Sequence, residues 1–178
     1  GNAKGICLSH KNICSNVMSV AQIVKVDKTT TVLSILPIHH TYECTLGHIL
    51  PLYGGGTVTY CDGLRYINKN INEYSPSFVI CVPLLLENIH KKIFKTLQKS
   101  LPEKYFSGEK HFIDNMPPLL RFFVKRKIKK SLGGNLRTFI VGAAAINPTI
   151  IESFYKLGFK ALQGYGLTEC SPLVAGNN

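Results

Sequence analysis

Apolar positions along the chain follow two spacings, one typical of buried strands and one typical of amphipathic helices. Short runs of apolar and β-branched residues, bounded by proline, glycine or polar residues, predict strands. These runs are residues 31–36, 57–60, 78–82, 138–141 and 160–163. Between them, apolar residues recur every three or four positions, which predicts helices. The helices are expected at residues 10–24, 44–53, 64–74, 85–97, 119–132 and 148–157.

The alternation of strands and helices predicts an α/β fold with a mainly parallel sheet and helices on both faces, because parallel neighbours need crossover connections. In such sheets, ligands bind beyond the carboxyl ends of the strands. Three segments that follow predicted strands should therefore converge on one crevice. They are residues 37–43, 142–147 and 164–171.

Composition limits the class of protein. The 178 residues are 45% hydrophobic, which is enough for a buried core, and the longest apolar stretch, residues 78–86, is far shorter than the ~18 residues of a membrane span. The six cysteines form no CxxC pair, so we interpret them as reduced core residues and expect a cytoplasmic protein.

The net charge of +11 is concentrated in one stretch. Between Lys91 and Lys130 there are twelve Lys or Arg and three Asp or Glu, spread over a predicted helical pair at about 84–132. The favoured interpretation is two solvated amphipathic faces. Peripheral contact with the inner face of a membrane is an alternative, and so is a nucleic-acid-binding module, although no RNA or DNA motif accompanies the charge.

The segment Gln163–Glu169 carries the most specific chemistry. Its two glycines allow backbone amides to approach a phosphate, the Thr168 hydroxyl can donate a hydrogen bond to that phosphate, and Glu169 can hold Mg²⁺. Taken alone, this spacing also fits an ordinary glycine turn with a helix cap.

The same heptapeptide, QGYGLTE, resembles the signature of the adenylate-forming (AMP-binding) superfamily. Three further segments resemble motifs of that superfamily in the same order along the chain. Residues 1–5 with Ser9-His10 resemble the end of its phosphate-binding loop, residues 37–43 the loop beside its acyl pocket, and residues 142–146 its adenine-contacting loop. Ala3 stands where proline is usual, and Ala143 stands where a second glycine is usual.

The resemblance implies a role for each matching residue. Thr168, Glu169 and Lys4 would serve the phosphates, with Glu169 also holding Mg²⁺. The nucleotide would contact Gly142, Ala143, Ala144, Gln163, Gly164, Tyr165, Gly166 and Thr168, with Tyr165 stacked on adenine. The carboxylate substrate would be bordered by His40, Tyr42, Gly166 and Leu167.

The resemblance further implies a reaction and a domain. Residues 1–178 would be an internal fragment of the large N-terminal domain of a long-chain fatty acyl-CoA synthetase, without the C-terminal lid domain and inactive alone. The parent would use ATP and Mg²⁺ to convert a fatty acid to acyl-AMP, and CoA to form the thioester. The amino-acid adenylation domain of a peptide synthetase is the alternative within the superfamily.

Overall fold

A computed structural model of the chain describes residues 4–107 and 111–177. Within these residues the strands form one six-stranded sheet in the order β2-β1-β3-β4-β5-β6. The first five strands run parallel, and β6 pairs antiparallel with β5. The strands are β1 Thr31–Ser34, β2 Thr57–Tyr60, β3 Phe78–Cys81, β4 Thr138–Val141, β5 Lys160–Gly166 and β6 Leu173–Gly176. This arrangement confirms the predicted fold class.

Six α-helices of the described chain cover both faces of the sheet. They are α1 His10–Ile23, α2 Leu50–Tyr53, α3 Ile67–Tyr74, α4 Pro83–Ser100, α5 Pro118–Ser131 and α6 Pro148–Leu157. A π-helix, Glu43–Ile49, precedes α2, and short 3₁₀ turns occur at Leu64–Tyr66, Glu103–Tyr105 and Thr168–Cys170. Among residues 4–107 and 111–177, no helix is long and apolar enough to cross a membrane.

Each face of the sheet has its own core. On one face, α1, the π-helix and α2 pack on the strands through a cluster that includes Val17, Leu46 and Ile80. On the other face, α3, α4, α5 and α6 pack through a larger cluster that includes Val79 and Phe139. The two clusters use alternate strand residues, because successive side chains of a strand point to opposite faces.

Several helix ends follow from the local sequence. The Ser9 hydroxyl accepts from the Asn12 amide, and the Asn12 side chain accepts from the Ser9 amide, which closes a capping box before α1. The Asn147 side chain caps α6 directly before Pro148. Gly158 ends α6 in the left-handed region that glycine adopts freely.

Several predicted boundaries differ from those of the structure. β1 ends at Ser34, two residues before the predicted end, and the helix expected at 44–53 starts as the π-helix at Glu43. The segment from Gly164 to Gly166 was predicted as loop, but it extends β5 because β6 supplies an antiparallel hydrogen-bonding partner. The sequence-based prediction missed β6 altogether.

Buried Ser153 on α6 links this helix to α4 and to the connection between α4 and α5. The Ser153 hydroxyl on α6 lies 2.8 Å from His90 Nε2 on α4 and 2.7 Å from His111 Nε2 in the connection. Burial lowers the pKa of both histidines. A neutral pair, one ring donating to the hydroxyl and the other accepting from it, satisfies all three groups.

We predict that two adjacent glycines after α5 differ in their tolerance of alanine. Both have φ +80°, but a Cβ at Gly133 would overlap the Ile71 carbonyl oxygen, whereas a Cβ at Gly134 meets no described atom within 4 Å. Gly134→Ala should lower the free energy of unfolding by about 1 kcal/mol, from the backbone conformation alone. Gly133→Ala should lower it by about 3 kcal/mol or more, because backbone must also move. Urea unfolding of both variants measures the difference, and equal losses would contradict it.

Candidate functional site

A crevice of about 330 Å³ lies beyond the carboxyl ends of the parallel strands. It contains parts of all three segments that the sequence analysis expected to converge. Its lining is Leu36, Pro37, His40, Thr41, Tyr42, Val82, Gly142, Ala143, Gly164, Gly166, Leu167, Thr168, Pro172 and Leu173. Eight predicted site residues therefore meet in one place: His40, Tyr42, Gly142, Ala143, Gly164, Gly166, Leu167 and Thr168.

Tyr42 joins the first segment to the second. Its hydroxyl donates a hydrogen bond to the Ile140 carbonyl at 3.1 Å. A Cβ on Gly142 would lie 2.7 Å from Tyr42 Cζ, so only glycine leaves room for the ring. Burial raises the pKa of the Tyr42 phenol well above its usual range, with smaller contributions from Cys81 and Glu43. Tyr42 is thus a neutral hydrogen-bond donor in one wall of the crevice.

Ala143, the residue after Gly142, has a strained backbone conformation. Its φ is +73°, in the left-handed region that costs a residue with a Cβ about 1–2 kcal/mol. Its side chain is exposed at the crevice, and the neighbouring Ala144 is exposed outside the crevice lining. The strain fits a position where the sequence analysis expected glycine, and strained backbone often occurs at ligand sites.

Some predicted site residues lie outside the crevice lining. Strand alternation puts Gln163 and Tyr165 on the face of β5 opposite Leu162, which packs in the α1 core. Tyr165 is 67% exposed at the end of the sheet, and Ala144 in the adjacent segment is also exposed. The backbone amide of Gln163 donates to Asn177 Oδ1 at 2.6 Å, which ties β5 to the chain after β6.

Glu169 and Lys4 are both exposed. Glu169 borders a shallow depression against α1, next to Asn16 and Ser171, rather than the crevice itself. Residues 1–3 of the predicted phosphate-loop segment, including Ala3, lie outside the described residues. Lys4 is therefore placed only as an exposed residue ahead of α1.

The side chains near the candidate site fit only one kind of Mg²⁺ binding. Within the described ranges, no group of three His, Cys, Asp or Glu side chains converges on a metal position. Mg²⁺ at nucleotide sites is commonly bound by one or two carboxylates together with substrate phosphates and water. The single exposed carboxylate of Glu169, one residue after Thr168, fits that kind of binding and does not fit a metal cage made by protein alone.

Asn16 is a structural residue that the sequence analysis did not single out. Its side-chain amide donates to the Leu173 carbonyl at 2.7 Å and to the Cys170 carbonyl at 3.3 Å. These bonds anchor the end of the third segment to α1. A half-buried asparagine in an amphipathic helix is a weak sequence signal, because most such residues are simply solvated.

Glu43 is a second residue whose environment the sequence did not reveal. Its side chain is fully buried at the start of the π-helix, and no described group hydrogen bonds to either carboxyl oxygen with good geometry. A Cβ on Gly47 would come within 2.5 Å of Oε1, so glycine makes room for this carboxyl. Burial raises the pKa of Glu43 to about 7, although the nearby Ser34 hydroxyl and the Ile35 and Leu36 amides oppose the shift.

A larger cavity, of about 520 Å³, lies at the opposite edge of the sheet. It borders the amino ends of the strands, at Ser77, Thr138 and Lys160 among others, with Lys25 and Arg137 nearby. We assign function to the smaller crevice, because ligands of parallel α/β sheets bind at the carboxyl ends and because the predicted site residues meet there.

Comparisons with known proteins identify the family of the chain. The whole chain, residues 1–178, matches the family described as AMP-binding enzyme. The chain is 30% identical over 188 residues to the peroxisomal long chain acyl-CoA synthetase 6 of Arabidopsis thaliana, covering 99% of this chain and 26% of that protein. It is 29% identical over 186 residues to the long-chain-fatty-acid–CoA ligase 6 of Mus musculus, covering 96% of this chain and 26% of that protein. The chain therefore spans about a quarter of the length of these relatives.

Solved structures share the fold. A long-chain-fatty-acid-CoA ligase from Archaeoglobus fulgidus superposes with a TM-score of 0.67 at 20% identity, covering 98% of this chain and 31% of that one. The ATP-bound MatB of Rhodopseudomonas palustris gives a TM-score of 0.68 at 20% identity, covering 99% and 29%. At this identity, the likeness establishes the fold alone.

We predict that Glu43 makes the stability of the fold fall as pH rises. Below pH 4.5 the carboxyl is protonated in both states, and between pH 4.5 and about 7 only the unfolded state loses the proton, which favours unfolding. At about 1.4 kcal/mol per pKa unit, the full loss is roughly 3 kcal/mol and is complete above pH 7. Glu43→Gln should remove this dependence in urea unfolding between pH 4.5 and 8.

Glu103→Gln is the matched control, because that carboxyl is exposed. It should leave the pH dependence of the free energy of unfolding unchanged. If wild type and Glu43→Gln show the same slope with pH, the Glu43 carboxyl is not held neutral by burial.

Proposed function

The chain belongs to the AMP-binding enzyme family, and on that premise we propose that it is part of an ATP-dependent acyl-CoA synthetase that activates a fatty acid. The observation that carries the proposal is the crevice at the carboxyl ends of the strands, where the family's acyl-pocket, adenine and signature segments meet. The names of the two curated relatives support the same activity and substrate class.

The proposed reaction has two steps. A carboxylate oxygen of the fatty acid attacks the α-phosphorus of ATP, the bond to the bridging oxygen breaks, and pyrophosphate leaves with that electron pair. The CoA sulfur, as thiolate, then attacks the carbonyl carbon of the acyl-AMP, and AMP leaves with its phosphate oxygen. Positioning and charge neutralisation account for most of the catalysis of such phosphoryl chemistry, so no protein nucleophile is required.

The proposed residue roles follow the family resemblance, and the crevice lining supports several of them. Thr168, in the lining, would donate its hydroxyl to a phosphate, and His40 and Tyr42 would border the carboxylate and the start of the acyl chain. Adenine would lie at the exposed end of the sheet, between the Tyr165 ring and the backbone of residues 142–144. Lys4 would contribute charge near the pyrophosphate.

Mg²⁺, when bound, would neutralise charge on the phosphates, and Glu169 is the carboxylate that would hold it. Glu169 is exposed outside the crevice lining, directly after Thr168 in the chain, so a phosphate-bound ion held there would not require burial of an unpaired charge. CoA would enter as the second substrate.

A fatty acid is favoured over an amino acid by the chemistry of the crevice lining. Among the described residues, those that line the crevice include no Asp or Glu. Most of the surface that they expose to the crevice is apolar. An amino acid would bring an ammonium group that needs an acidic or carbonyl partner when it leaves water. An acyl chain needs none.

Peripheral contact with an anionic membrane is a further part of the proposal. Leu119, Phe122 and Phe123 on α5 are each more than half exposed. The following turns of α5 carry exposed Arg126, Lys127, Lys129 and Lys130. An apolar end next to a basic surface is typical of helices that bind at the bilayer interface.

We predict that the full-length protein exchanges pyrophosphate into ATP when a long-chain fatty acid is present. Thr168→Val keeps the side-chain shape and removes the hydroxyl, so exchange should fall about 100-fold, as for loss of one donor to developing charge. Thr57→Val, at an exposed position of the edge strand β2, is the matched control and should retain wild-type exchange. Exchange that depends on amino acids instead of fatty acids, or that is unaffected by Thr168→Val, would refute the proposal.

A further inference from the structure

A second groove, of about 260 Å³, lies between α3, α4 and α5 on the helical layer. It shares no lining residue with the crevice. Its floor is apolar and nearly buried, formed by Ile89, Ile93, Leu97, Ile128 and Leu132. These side chains belong to the core beneath the helices, and the groove gives a ligand access to their outer edge.

Two cations stand at the rim of this groove. Lys92 comes from α4 and Lys127 from α5, and both are exposed. The ion pairs found among residues 4–107 and 111–177 involve Lys25 and Lys156 and neither rim lysine. The polar rim residues Thr96 and Ser131 turn their hydroxyls to carbonyls of their own helices. The rim therefore presents uncompensated positive charge directly above apolar surface.

We propose that this groove binds the free anion of a long-chain fatty acid, with the chain on the apolar floor and the carboxylate between Lys92 and Lys127. A nucleotide or inorganic phosphate would leave the floor unused, and a neutral lipid would leave the two cations unpaired. The volume is slightly below the ~300 Å³ at which ligand pockets begin, so the groove holds one part of one chain. The remainder can follow α5 to Phe123, which is 57% exposed one turn before Lys127.

This site is distinct from the catalytic crevice and does not require that the crevice act on the same fatty acid. It offers the protein a place to hold the anion outside the site of chemistry. The charge around it favours anions in general, since the stretch from Lys91 to Lys130 is strongly basic. The apolar floor adds the selectivity for an aliphatic chain.

The test is photolabelling of the full-length protein with a palmitate analogue that carries a diazirine in its chain, followed by peptide mapping. Label is expected on the α4 and α5 segments 89–97 and 127–132. The variant Lys92→Ala/Lys127→Ala should reduce that label about five- to tenfold, as expected for loss of two exposed ion pairs.

The matched control is Lys95→Ala/Lys130→Ala, which removes two exposed lysines from the same two helices without touching the groove lining. Its label should stay within about twofold of wild type. Equal loss in both double variants would show a diffuse cationic surface, as membrane contact gives, and would overturn the groove proposal.

A rim variant and a neutral probe test the same site if the lysine variants fail to fold. Thr96→Phe places a ring at the exposed rim and should block labelling of the groove. The neutral methyl ester of the analogue should label the groove several-fold less than the free acid in wild type. Equal labelling by ester and acid, or labelling of segments 36–42 and 164–173 alone, would contradict the proposal.

The same samples separate this inference from the proposed function. Exchange of pyrophosphate with fatty acid but without groove label means that the groove proposal alone is wrong. Groove label without exchange means that the groove binds fatty acid and that the proposed enzyme activity is wrong.

Discussion

The packing of the Tyr42 ring against Gly142, a residue without a Cβ, holds the crevice together. Tyr42 comes from the segment after β1, and Gly142 comes from the segment after β4, two strands away in the sheet. The bond from the Tyr42 hydroxyl to the Ile140 carbonyl fixes the ring against the end of β4. Any side chain at Gly142 would push the ring out and open the wall that residues 37–43 and 142–147 share.

The rest of the site depends on this wall and on how the third segment is held opposite to it. Gly164 and Gly166 are strand residues, because β6 pairs with β5, and Gly166 lets the backbone of Pro172 approach closely. Asn16 then ties the end of that segment to α1. The crevice is thus framed by backbone on both sides. In the proposed function, its chemistry is added by a few lining side chains, chiefly His40, Tyr42 and Thr168.

The sequence predicted what depends on local chemistry. Residues 57–60 and 138–141 became strands as expected, since β-branched and apolar residues there have few alternatives. It could not predict what depends on distant partners. Gly164 to Gly166 fits a glycine turn until an antiparallel neighbour makes it a strand. Glu43 ends a predicted loop, and the sequence gives no sign of the buried space that Gly47 leaves for its carboxyl. Because β6 makes this segment a strand, side chains alternate along it, and Tyr165 faces away from the crevice lining.

The claim that the crevice is the adenylate site is tested most directly by a crystal structure of the full-length protein with a non-hydrolysable acyl-sulfamoyl adenosine. The account predicts the sulfamoyl linkage beside Thr168, the acyl group beside His40 and Tyr42, and adenine against residues 142–144. Binding of the analogue instead in the cavity at the amino ends of the strands, near Arg137 and Lys160, would contradict it.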